Sequence, residues 1–153
     1  MILSGAFMPA GEVRKMKARS IGIALAALGV LLVLTPWVLF PVCGVGRYAP
    51  GPGIASGAHP CHGTLLAETA LGAAALVLGL FPVLWPGKNA VLGASIGAAV
   101  VAALVVLFPV AITGMCKVVT MPCRLGTLPA LETAATLMML TAALGLAVYR
   151  KMR

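Results

Sequence analysis

Two stretches carry most of this chain's chemically capable side chains: residues 60–69, PCHGTLLAET, and residues 122–133, PCRLGTLPALET. Pro-Cys, Gly-Thr-Leu and Glu-Thr recur in the same order, with one extra residue between Gly-Thr-Leu and Glu-Thr in the second copy. Apart from Glu12, Glu68 and Glu132 are the only acidic residues. Glu68 follows Thr64 by four residues and Glu132 follows Thr127 by five. Threonine accepts bonds from the exposed amides of a first turn, so Thr64 and Thr127 are expected to cap two helices. Each glutamate then lies about one turn inside, where the helix dipole favours a carboxylate. Ionisable groups within membrane spans are costly and often functional. The expectation is an outward-facing crevice in which Glu68, Glu132, Thr64, Thr127, His62 and Arg124 bind a ligand or a partner. Two carboxylates brought close would share a proton, hold a cation or engage a basic group. The competing structural role pairs them with Arg47, Lys117 or Arg124, or with helix-start amides.

Cys43, Cys61, Cys116 and Cys123 all fall on one side of the expected topology, as an oxidising compartment permits. Four cysteines allow three pairings. The repeat favours each loop closing on itself, Cys43 with Cys61 and Cys116 with Cys123. Redox catalysis and metal binding are the alternatives. His59-Pro60-Cys61-His62, with Cys43, Met115, Cys116, Met121 and Cys123, offers the sulfur and imidazole ligands that suit copper(I) or zinc. The second copy has Arg124 where the first has His62, and its permanent charge opposes a cation. No metal site, catalytic residue or cofactor is assigned.

These residues must be positioned by membrane helices. The 153-residue chain is 61% hydrophobic and 9% charged, against about 25% charged in soluble domains. Apolar runs at about residues 21–42, 64–85, 90–112 and 127–149 are each long enough for a ~30 Å hydrocarbon core. The prediction is an all-α integral membrane four-helix bundle, residues 1–153 forming one domain. The first run is read as a retained helix, since its apolar stretch exceeds that of a signal peptide. The tight turn Pro86-Gly87-Lys88-Asn89 makes the second and third helices antiparallel neighbours. VLFPV at residues 38–42 and again at 106–110 joins the polar phrases in suggesting two repeated hairpins, about residues 20–85 and 88–150, with disulfide-closed outer loops. Gly93 and Gly97 are expected to form a small-residue packing face within the bundle. Trp85 fits an interfacial anchor.

The net charge is +8. Arg14, Lys15, Lys17, Arg19, Lys88, Arg150, Lys151 and Arg153 share one membrane face, leaving Arg47, Lys117 and Arg124 on the other. Basic flanks favour the cytoplasm, so both termini are expected inside. The charge is a topology signal and gives no support to a nucleic-acid partner; the lipid bilayer is the expected environment.

Cys61-His62-Gly63-Thr64 followed by Ala67-Glu68, in a four-span chain, resembles an uncharacterised family of small prokaryotic membrane proteins known only as a domain of unknown function. The resemblance implies a prokaryotic cytoplasmic membrane and supplies no activity. Four spans with two outer cysteine pairs also resemble the quinone-coupled disulfide-forming membrane oxidoreductases, including the vitamin K epoxide reductase relatives. Those carry a C-x-x-C pair suited to exchange, and none is present here. The favoured expectation is a non-enzymatic binding or accessory subunit of a transporter or another membrane complex. The thiol–quinone oxidoreductase is the alternative, with soft-metal binding or transport third.

Overall fold

The computed structural model describes residues 10–40, 60–112 and 123–151, with the side chains of residues 10, 60–62 and 123 outside that description. The described residues are helical and include no strand. Four helices run α1 (Ala10–Leu34), α2 (Pro60–Leu84), α3 (Lys88–Leu107) and α4 (Leu128–Lys151). π-helical turns extend α1 over Thr35–Leu39 and α3 over Phe108–Ile112, and another, Cys123–Thr127, leads into α4. All four helical segments are long and apolar enough to cross a membrane, as a multi-pass membrane protein requires. They are Gly11–Leu39, Gly63–Leu84, Lys88–Ile112 and Arg124–Lys151.

The helices alternate in direction. α1 packs most extensively on α2 and α3 on α4, while α2–α3 and α1–α4 contacts close the ring. One end of the bundle, the turn end, holds the connection through Trp85, Pro86 and Gly87. The opposite, loop end is where the longer connections leave. α1 begins eleven residues before the apolar run predicted from sequence, because Arg14, Lys15, Lys17 and Arg19 are good helix formers that carry it past the hydrocarbon. α2 likewise begins at Pro60, where proline's missing N–H is harmless in a first turn.

The interior is built from small residues. Ala18, Ala75, Ala90, Ala94, Ala98, Ala102, Ala134, Ala135 and Ala142 are buried with a few larger side chains such as Leu25, Leu32 and Met138. Large apolar residues point outward instead: Val38, Val77 and Leu144 are each about two-thirds exposed. That surface suits lipid, where burial of apolar area gives no drive to pair helices and close packing takes its place.

Packing is tightest between α1 and α2. A Cβ built on Gly29 would lie 2.5 Å from the Leu76 amide nitrogen and 2.8 Å from the Gly72 carbonyl. One on Gly22 would lie 2.6 Å from the Gly79 carbonyl, and one on Gly79 would collide with Ala26. Gly22 and Gly29 on α1 thus meet Gly79 and Gly72 on α2, backbone against backbone. The glycine face expected at Gly93 and Gly97 is weaker. Gly97 meets only the Leu78 side chain, and Gly93 has open space beside it.

Candidate functional site: a polar layer at the loop end

Buried polar side chains are few, and most share one level. Thr35 follows directly on α1, Thr64 and Glu68 lie in the first turns of α2, and Thr127 precedes α4; all are buried. Ser95, on α3, is the other buried polar residue among those described, and it packs against Gly145. The layer at the loop end is bordered by all three π-helical turns. Pro36 and Pro109 each remove an amide from the helical ladder of α1 and α3, and both prolines are buried in these turns. In α1 the Phe40 amide donates to the Thr35 carbonyl, five residues back, at 2.8 Å. Insertions of this kind re-aim the residues that follow and are common at functional sites.

Glu68 is fully buried, and neither carboxylate oxygen has a hydrogen-bond partner among the described residues. Thr35 and Thr127, in the same layer, use their hydroxyls elsewhere. The Thr35 hydroxyl donates to the Leu31 carbonyl at 2.7 Å. Thr127 donates to the Phe40 carbonyl at 3.0 Å, tying the start of α4 to the end of α1. Just outside the layer, the Trp37 indole N–H donates to the Thr69 hydroxyl (2.9 Å), which donates to the Leu65 carbonyl (2.7 Å). A buried polar group left unsatisfied costs about 1–3 kcal/mol, and more when charged. In a chain that otherwise buries alanine and leucine, this is the largest visible expense in the interior.

The predicted site residues separate. Glu132 is exposed and does not join Glu68 in the buried layer. The reason is helical phase. At about 100° per residue, a step of four returns to the same face and a step of five moves roughly 140° round. Leu131, four residues after Thr127, takes the inward place and is 1% exposed. The capping roles are also corrected. Thr64 lies inside α2, beyond its start at Pro60, and Thr127 bonds across to α1. Arg124 is exposed on the π-helical turn, and among the described residues no ion pair joins it to a glutamate. The His62 side chain and the cysteine pairings, with Cys43 and Cys116, lie outside the described residues. Among the described residues no cluster of three or more potential metal ligands occurs.

Cys61-His62-Gly63-Thr64 and Ala67-Glu68 all fall in the first turns of α2, at the end of the bundle that holds the buried polar layer. Residues 25–149 match the family described as a domain of unknown function, DUF4418. The chain belongs to this family. No curated protein and no solved structure matches it. The DUF4418 region starts within α1 and runs into the last turns of α4, so it includes the whole polar layer. In this DUF4418 chain Thr35 is the layer residue that the repeated phrases do not contain, and Trp37, whose depth in the span suggests internal packing, is instead 45% exposed with its indole on Thr69. The available signal was Thr35-Pro36 near the end of an apolar run, where a polar residue meets a helix-ladder break.

Proposed function

We propose that this protein is a non-enzymatic binding subunit of a membrane complex, with Glu68 as its charged centre. The observation that carries the reading is the pair of carboxylate oxygens, fully buried among helices and without a partner among the described residues. Buried polar groups are usually hydrogen-bonded, and those that are not often have a functional role. A carboxylate there would accept a small cation or a basic group from a partner, and its protonated form would donate a hydrogen bond. Thr35, Thr64 and Thr127 line the same level and would supply neutral oxygens. The sulfur and imidazole of the Cys61-His62 segment follow directly on the helix start. The loops above the layer would close it through the bridges Cys43–Cys61 and Cys116–Cys123. In this reading the chain resides in a prokaryotic cytoplasmic membrane, both termini inside, and the layer faces outward.

The test compares full-length wild type with Glu68→Gln, which keeps side-chain volume and removes the charge. Both are purified in mild detergent, and co-purifying proteins and bound sodium, potassium and calcium are measured by mass spectrometry. Loss of a specific partner or ion from Glu68→Gln supports the reading. Identical partner and ion content in a folded variant would sink it.

A further inference from the structure

We propose a second site at the opposite end of the bundle: a cavity that binds the phosphate of an acidic phospholipid headgroup. The cavity has a volume of about 270 Å³ and lies between the first turns of α1 and the α2–α3 turn. Arg14, Lys15 and Lys88 line it, with Ala18 as an apolar floor and Pro86 and Gly87 as a wall. Three cationic side chains from two separate parts of the chain therefore converge on one hollow.

No acidic side chain lines the cavity among the described residues. Glu68 and Glu132 belong to the loop end, and Glu12 lines a separate depression on α1 with Met16 and Arg19, one that shares only Lys15 with the cavity. Among the described residues, Arg14, Lys15 and Lys88 make no ion pair. α3 adds to the positive potential. Gly87 is its N-cap and offers no side-chain oxygen, so the first amides of this 20-residue helix are left to whatever occupies the hollow.

Depth selects the ligand. Phe81 and Trp85, with ring centroids 5.6 Å apart, are both exposed on the outer surface just before the turn. Exposed aromatic pairs of this kind sit at the boundary between hydrocarbon and headgroups. Pro86, Gly87 and Lys88 follow within three residues, so the hollow opens at the level of lipid phosphates. Its volume falls near the lower limit of small-molecule pockets, which suits a headgroup phosphate and its glycerol. Basic pockets between membrane helices are known to hold anionic headgroups, and arginine contributes a fork matched to phosphate oxygens. The site does not depend on the function proposed for Glu68.

The full-length protein in neutral detergent is titrated with phosphatidylglycerol, phosphatidylcholine or inorganic phosphate, and bound species are counted by native mass spectrometry. Phosphatidylglycerol should bind best. Arg14→Gln/Lys15→Gln/Lys88→Gln should weaken it on the order of 100-fold, and Lys88→Gln alone about fivefold. Arg150→Gln/Lys151→Gln, which removes charge from the same face outside the cavity, should leave affinity unchanged. The three cavity residues are exposed, so the variants should fold; were the triple variant to misfold, Lys88→Gln still decides the matter. Unchanged binding in the cavity variants, or equal weakening in the Arg150/Lys151 control, would overturn the site. Equal binding of phosphatidylcholine, or full displacement of lipid by an equal concentration of inorganic phosphate, would overturn the lipid assignment.

Discussion

Leu131 on α4 stands where Glu68 stands on α2: each lies four residues after a buried threonine, and each is buried, at 1% and 0% exposure. The repeated phrase therefore places one carboxyl inside the bundle and one outside. Residues 64–68 and 127–131 share a face and differ in its chemistry, an acid in one and a leucine in the other. Among the described residues the layer holds one buried carboxyl.

Glu68 should be a destabilising residue that the protein retains for use. Glu68→Leu, which copies the α4 arrangement, is expected to raise stability by about 1–3 kcal/mol, since it removes an unsatisfied buried group. Thermal unfolding in detergent checks this, and ligand or partner binding should disappear in the same variant. Glu132→Gln should change stability by less than about 0.5 kcal/mol, as exposed substitutions do. A loss of stability in Glu68→Leu would mean that the carboxyl holds the bundle together.

The α1–α2 glycines should tolerate nothing larger. Gly29→Ala and Gly79→Ala each drive a methyl into the facing backbone, with an expected cost of about 1–3 kcal/mol or more. Gly93→Ala meets open space and should be neutral or slightly stabilising, by up to about 1 kcal/mol. The same unfolding assay ranks the three. If Gly93→Ala proves the most damaging, the packing assigned to the two helix pairs is wrong.

Topology gives a third expectation, motivated by the basic residues grouped on one face. A reporter cysteine at Ser56 should react with a membrane-impermeant reagent in intact cells, and one at Asn89 should react only after lysis. The reverse pattern would invert the orientation proposed here and carry the polar layer to the cytoplasmic side.

The outer cysteines are expected to form static bridges, Cys43 with Cys61 and Cys116 with Cys123. Non-reducing digestion and mass spectrometry give the connectivity. Turnover of either pair with a quinone and a thiol substrate would replace this reading with thiol oxidation.

The spans were readable because length and hydropathy alone decide them, and the short Pro86-Gly87 turn announced the antiparallel pair. Which face of each helix points inward was not readable from apolar periodicity. Lipid-facing Val77 and buried Ala75 are both apolar, so no polar stripe marks the outside. Size carried the information instead, in the seven-residue spacing of Gly22 with Gly29 and of Gly72 with Gly79. The fate of Glu132 was also written in the sequence, as the extra residue between Gly-Thr-Leu and Glu-Thr in PCRLGTLPALET. Counting that residue as an angle, and not only as a rise, separates it from Glu68. Thr127's bond to Phe40 was illegible, because it joins residues 87 positions apart.

The glycine contacts between α1 and α2 bear on how the chain is assembled during synthesis. These two helices leave the ribosome before α3 and α4, and the glycine contacts between them involve no side chain from either. A hairpin that can dock on its own offers Glu68 a protein-covered flank before the second hairpin exists, at the moment when an acidic residue is hardest to commit to hydrocarbon. Nascent chains arrested after α2 should accordingly integrate into membranes efficiently, and Gly29→Ala or Gly79→Ala should impair integration only while Glu68 is present.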